Sequence, residues 1–198
     1  MPTVLNAGCG VPRSGELPAF FAPWRELRVD VDPAVSPDLI ADITDLSMIP
    51  SESVDAIWSA HCVEHLYQHQ IASALSEFHR ILRPPGFVCI IVPDLQVVAN
   101  YIVADRMDDT VYESISGQPV TAHDILFGWG LAIAEGHPRM AHHCGFTPNS
   151  MIRHFNSSPF AEVVIRRRSA TVELAAVALK TQSANAVDRD ALMTNLTL

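Results

Sequence analysis

The sequence is sparing with the residues that build scaffolds by cross-linking, spanning or repetition. Its four cysteines, at 9, 62, 89 and 144, lie far apart and form no CxxC pair, so a zinc ribbon and a disulfide framework are disfavoured and each reads as a small buried filler. No run of about eighteen apolar residues occurs, and no membrane-spanning helix is expected. The start also lacks the basic and then apolar succession of a secretion signal, which points to a cytoplasmic location. Basic residues are few: 13 Lys and Arg stand against 22 Asp and Glu, a net charge of −9, which argues against a nonspecific grip on nucleic-acid phosphates. The one dense basic run, Arg166 to Arg168, reads as a solvated strand face rather than a phosphate site. No internal repeat is found.

What is there is a chain of 198 residues, 48% hydrophobic, long enough for one domain with a sizeable core. Residues 3–10, TVLNAGCG, read as a short buried strand entering a glycine turn, with Gly8 and Gly10 among the small residues Ala7 and Cys9. Lacking Cβ, glycine admits close approach of a ligand to the backbone, and such a turn suits the carboxyl end of a parallel strand. Residues 26–33, ELRVDVDP, alternate Leu27, Val29 and Val31 with Arg28, Asp30 and Asp32, a second strand carrying two acids on one face. Asp30 follows Gly10 at about the distance at which a dinucleotide-binding unit places the carboxylate that holds a ribose diol. Asp32 is its rival, with the alternative that it merely starts the turn at Pro33.

Further along, Pro12, Pro18 and Pro23 limit the first crossover to a short or broken helix. Asp42 stands at the mouth of a third strand, and 54–60 form a fourth. Apolar residues from Val63 to Leu82 recur at helical spacing, and 87–94 form a continuously apolar central strand. Strand alternating with helix predicts a doubly wound α/β sheet. Residues 95–145 are too long for a routine connection and read as an inserted lid or substrate segment, helical at 95–107 and again around 122–134. Thr147 and Pro148 open a helix, and 161–168 with 171–180 form a closing hairpin. Residues 1–180 therefore read as one domain, and 181–198 as a mobile tail.

Four segments together, VLNAGCG (4–10), RVDVDP (28–33), SVDAIWSAHCVEHL (53–66) and EFHRILRPPGFVCIIVPD (77–94), resemble the class I S-adenosylmethionine-dependent methyltransferases, in particular the small type 11-like family. The resemblance covers residues 3 to about 180 and implies a mostly parallel seven-stranded sheet ending in an antiparallel hairpin. It implies that Asn6, Ala7, Gly8, Cys9 and Gly10 pack against the methionine portion of the cofactor and that Asp30, followed by Val31, binds its ribose. Asp42 would meet the adenine amino group with Ile43 beside the ring, and Ser59, Ala60 and His61 would line the cofactor. Two positions depart from the family: Asn6 stands where aspartate is common, and Pro12 where a small residue is. A helix before the first strand is also missing, so one wall of the cleft is expected from the insertion or from a second subunit in a homodimer.

A sulfonium methyl is already electrophilic, so the protein has to align the acceptor and, where required, remove its proton. His143 and His137 are the candidate bases, and His142 reads as structural or exposed. His61, His65 and His69, if on one helix, align along it rather than converge, so no metal site is expected there. Phe20, Phe21 and Trp24 read as core or as cover for the adenine end, Trp58 as core, and Trp129 as a wall for the acceptor. A small-molecule acceptor is expected over a nucleic acid, with no membrane partner. The alternatives are an NAD-dependent oxidoreductase and a noncatalytic S-adenosylmethionine-binding partner protein.

Overall fold

A computed structural model describes residues 1–11, 17–114, 116–182 and 189–197. In chain order the elements are β1 (Thr3–Ala7), a 3-10 turn (Ala19–Phe21), β2 (Arg25–Asp30), β3 (Leu39–Ile40), β4 (Val54–Ala60), α1 (Ile71–Ile81) and β5 (Leu82–Pro93). There follow α2 (Leu95–Val103), β6 (Thr110–Glu113), β7 (Pro119–Thr121), α3 (Ala122–Phe127), α4 (Gly130–Ala134), α5 (Pro148–Asn156), β8 (Glu162–Arg168), β9 (Glu173–Leu179) and α6 (Arg189–Thr197). Seven strands form one sheet in the order β3-β2-β1-β4-β5-β9-β8. The first five are parallel; β9 runs antiparallel to β5 and β8 antiparallel to β9. This is the expected α/β sheet with its closing hairpin. Because β1 lies between β2 and β4, the chain leaves it in one direction and returns in the other, which opens a crevice at the carboxyl ends of β1 and β4.

Period-two alternation sorts the strand residues onto two faces. Leu5, Ile57, Val88, Ile90, Val92, Leu174 and Ala176 join Leu75 and Phe78 of α1 and Met151 and Phe155 of α5. Val4, Ala56, Trp58, Cys89, Ile91, Ala175 and Val177 face the other way. A central strand buried on both faces has no polar residue to alternate, which explains the unbroken apolar run in β5. The second face is covered by Phe21, with Phe20 and Trp24 packed against it, and by Leu192, Met193 and Leu196 of α6. Phe21 meets Phe20 and Trp24 edge to face, with centroids 5.1 and 5.2 Å apart. The three aromatics are thus core.

Two expectations change here. The tail, read as mobile, carries a helix at 189–197 in which Leu192 and Leu196, one helical turn apart, are buried against the sheet with Met193. Its nine residues were too few to show that periodicity in sequence; residues 183–188 lie outside those described. Nor does one helix run from Val63 to Leu82. Val63–His65 and Gln68–Gln70 are separate 3-10 turns, with Leu66 extended between them, and the α-helix starts at Ile71. The Gln70 side chain accepts from the Tyr67 N–H, closing the second turn upon itself. His61, His65 and His69 therefore share no helix face.

Residues 95–145, read as an insertion, carry α2 as expected, a hairpin of β6 and β7 that was not, and two short helices, α3 and α4. Gly128 separates those helices at φ 101°, and a Cβ there would lie 2.0 Å from the Met140 carbonyl oxygen. Val98, Ala122 and Ile125 form a small core of its own with Val172. The helix opening at Thr147 is as read, with the Thr147 hydroxyl accepting from the Ser150 N–H. Among the described residues no helix is long and apolar enough to cross a membrane.

Candidate active site

At the carboxyl edge of the sheet, Gly8 and Gly10 take φ 70° and 56°. A Cβ on Gly8 would lie 2.4 Å from Cys62 Sγ, so the turn after β1 is packed directly on the loop after β4. The Gly8 and Cys9 N–H groups both donate to the Val29 carbonyl. The Gly10 N–H donates to Asp30 Oδ2 and the Asp32 N–H to Asp30 Oδ1, each at 2.9 Å. One carboxylate therefore ties the glycine turn to the end of β2. Its two oxygens offer about four acceptor sites, which leaves capacity for a vicinal diol. Asp32 does something else: it accepts from the Ala34 N–H and caps a 3-10 turn at Pro33, the plainer of its two readings.

The remaining sequence candidates divide. Val31 is 40% exposed beside Asp30, an apolar surface open to a flat ligand. Asp42 is exposed and holds the Thr44 N–H and hydroxyl. Ile43, by contrast, is 5% exposed and its side chain belongs to the core. Asn6 is buried and donates its amide to Glu26 Oε1 at 2.8 Å, bracing β1 against β2. Ala7 and Cys9 are buried, and burial, its largest influence, raises the Cys9 thiol pKa. Ser59 is fully buried, its Oγ without a hydrogen-bond partner among the described residues; Ala60 is half-buried at the strand end. The glycine cradle, the Asp30 carboxylate, the apolar Val31 and the Asp42 carboxylate fit an adenosine-bearing cofactor extended across the strand ends.

Beyond β4 the sequence reading missed an ion network. His61 has φ 51°, a left-handed conformation that costs a residue with a side chain roughly 1–2 kcal/mol. Its Nε2 lies 2.7 Å from Glu173 Oε1 and its Nδ1 3.3 Å from Glu64 Oε1. The protein around the ring opposes its charge, yet the hydrogen bonds to Glu173 and Glu64 more than offset this and raise its pKa to about 10. For both carboxyl groups burial works the other way, and His61 outweighs it to hold each below its ordinary value. Glu173 sits at the start of the apolar β9, and its acid among alanines was the one sequence signal available. Arg168 also bonds Glu173, and Arg167 Nε reaches the buried Asp94 at 2.7 Å, so this basic run is paired with acids rather than merely solvated.

The raised His61 pKa has a definite pH consequence. Protonation favours the folded state fully below pH 6.5, and that stabilisation is lost as pH rises toward about 10. His61→Gln should therefore flatten the decline in thermal midpoint across this window, measured in scans at stepped pH. Parallel curves for the two proteins would refute the pairing. With the wild-type ring 46% exposed, solvent screening keeps the effect modest.

The histidines of residues 123–143 face different surroundings. The His143 and Cys144 N–H groups both donate to the Glu64 carbonyl, at 2.9 and 3.2 Å, which seats the insertion's return on the loop after β4. The exposed His143 ring stacks on Tyr67 at 4.4 Å. His137 is exposed at the start of a 3-10 turn. His142, read as structural or exposed, faces inward: its ring lies 4.9 Å from that of His65. Trp129 is 37% exposed immediately before α4, and Trp58 is core. A surface depression lined by Gln96, Asn149, Ile165 and Arg167 shares none of these residues.

Residues 5–90 match the sequence profile of a family described as a methyltransferase domain. No curated protein matches the chain. Among solved structures, a 1,6-didemethyltoxoflavin-N1-methyltransferase from Burkholderia thailandensis, with S-adenosylhomocysteine bound, is similar at TM-score 0.55 and 19% identity, over 91% of this chain and 72% of that one. A SAM-dependent methyltransferase from Archaeoglobus fulgidus is similar at TM-score 0.58 and 14% identity, over 90% and 86%. One from Methanosarcina mazei reaches TM-score 0.55 at 13% identity, over 91% and 93%. Likeness at such identities concerns the fold; the matched profile concerns the segment holding the glycine turn, Asp30, Asp42 and His61. It takes up the very features on which the oxidoreductase alternative rested.

Proposed function

Since the chain carries a class I S-adenosylmethionine-dependent methyltransferase domain and moves a methyl group from that cofactor to an acceptor, we propose that the acceptor is a small molecule received between the strand ends and the insertion. The observation that carries this reading is the seating of the insertion's return, through His143 and Cys144, on the Glu64 carbonyl beside the glycine turn.

In this reading Gly8 and Gly10 admit the methionine portion of the cofactor, Asp30 accepts from its ribose hydroxyls, Val31 lies against its adenine and Asp42 accepts from the adenine amino group. When bound, the cofactor supplies an electrophilic methyl group on sulfonium. The rest falls to the chain. Residues 95–145 exclude water and orient the acceptor, with Trp129 as a wall, and His143 or His137 receives the acceptor's proton where the nucleophile must lose one. The net charge of −9 favours a small acceptor over a polyanion. Four free cysteines agree with a reducing compartment such as the cytoplasm.

The test is methylation of cell extract with methyl-labelled S-adenosylmethionine, separating small molecules from protein and nucleic acid. Label in the small-molecule fraction is expected; label confined to macromolecules would overturn the acceptor class. Tight cofactor binding with no transfer to any fraction would favour a noncatalytic partner protein. Once an acceptor is known, single-turnover rates across pH for His143→Ala report the base: coincident profiles would remove His143 from that role.

A further inference from the structure

We propose that Glu64, His65 and His142 form a binding site for a divalent first-row transition metal, with Zn2+ the best match, open on one side to an oxygen of the acceptor. The last clause rests on the methyltransferase reading; the metal site itself does not.

One ligand atom from each of the three residues lies within 4.8 Å of the other two. His65 Nδ1 is 3.0 Å from the Ala141 carbonyl oxygen, and His142 Nδ1 is 3.0 Å from that of Ile125. A carbonyl only accepts, so each Nδ1 carries the proton and each Nε2 presents a lone pair. Imidazoles that ligate metals are oriented in this way, by donating the other ring N–H to a carbonyl or carboxylate.

The third ligand is marked by what it lacks. Glu64 is 1% exposed; its Oε1 meets His61, while Oε2 is buried with no hydrogen-bond partner among the described residues. An unpaired buried carboxylate oxygen is costly, and a cation between it and two imidazoles removes the penalty. The ligands are also held in register. The segment carrying His142 is bonded to the Glu64 carbonyl through His143 and Cys144. Tetrahedral bonds of about 2.0–2.1 Å need ligand atoms roughly 3.4 Å apart, so separations of up to 4.8 Å shorten by at most about 1.4 Å, within reach of rotation of two half-buried rings.

Neighbouring groups do not compete. Both ring nitrogens of His61 are engaged by Glu64 and Glu173, and Cys144 Sγ is turned to the Val63 and Glu64 carbonyls. Two imidazoles and one carboxylate suit Zn2+, Mn2+, Fe2+ or Co2+ better than Mg2+ or Ca2+, which prefer oxygen. Three protein ligands leave a position for water or an acceptor hydroxyl, so the site deepens the proposed function by naming an oxygen-bearing acceptor. Linear spacing could not reveal this site, because His142 comes from the far end of the insertion.

Chelator-treated full-length protein titrated with Zn2+ by calorimetry should bind one ion per chain. Ligand removal should cost more than the roughly 10–100-fold typical of an outer-shell change, so His142→Ala should weaken binding at least about 100-fold. Glu64→Gln should do likewise, and His123→Ala, an exposed histidine elsewhere in the insertion, should bind as wild type. Circular dichroism checks folding. Should Glu64→Gln unfold, His65→Ala and His142→Ala still decide, and Co2+ absorption of the wild type reports coordination directly. No stoichiometric Zn2+ binding by wild type, or equal affinity in His142→Ala, overturns the site. Retention of labelled S-adenosylmethionine by the same samples is the separate readout for the methyltransferase reading.

Discussion

Asp30→Asn should raise the dissociation constant for S-adenosylmethionine by roughly 30- to 300-fold, about 2–3.4 kcal/mol, while leaving the chain folded. Two effects add. The carboxylate accepts the Gly10 and Asp32 N–H groups on its two oxygens, and an asparagine would turn an NH2 toward one of them, loosening the glycine turn before any ligand arrives. It would also remove the charge that strengthens hydrogen bonds from the ribose diol. Asp32→Ala is the comparison: losing the cap on Ala34 should lower stability by about 1 kcal/mol and leave cofactor affinity unchanged. Calorimetry on both variants separates the roles. An unchanged affinity in Asp30→Asn would move the ribose contact elsewhere.

The double substitution Leu192→Ala, Leu196→Ala should destabilise the fold by about 4–8 kcal/mol, since truncating a buried leucine costs about 2–5 kcal/mol and the expected structural relaxation keeps the sum below the maximum. Stability of a whole domain is about 5–15 kcal/mol, so much of the population should unfold near physiological temperature. The reason lies in the second sheet face. Trp58, Val177 and Ile91 there are covered by a short aromatic turn and by α6, and Leu192 and Leu196 are 5% and 3% exposed against them. Urea denaturation at fixed pH measures the change. A midpoint within about 0.5 kcal/mol of wild type would show that α6 does not cover the sheet in solution.

What could be read from sequence follows the range of the interactions involved. The glycine turn, β4, β5, the Thr147 cap and the closing hairpin each rest on neighbours within a few residues, where alternation and capping act. The spacing from Gly10 to Asp30 was legible as well, whereas the hydrogen bond between them appears only once β1 and β2 pair as adjacent parallel strands and their ends meet. The helix expected from Val63 failed for the opposite reason. Its apolar spacing is real, but Glu64 is drawn into bonds with His61 and with the insertion's return, and Leu66 becomes extended to permit them.

By itself, then, the sequence determined the doubly wound sheet and its closing hairpin, because both rest on local pattern and on the spacing of adjacent elements. Tertiary structure alone decided which of two neighbouring histidines turns inward, that Glu173 would meet His61, and that the last helix would close the core. His142 and His143 are adjacent and chemically identical, so only the docking of that segment settles which one faces Glu64. Glu173 and His61 stand 112 residues apart, and no periodicity within either segment encodes their meeting; it follows from β9 entering the sheet beside β5.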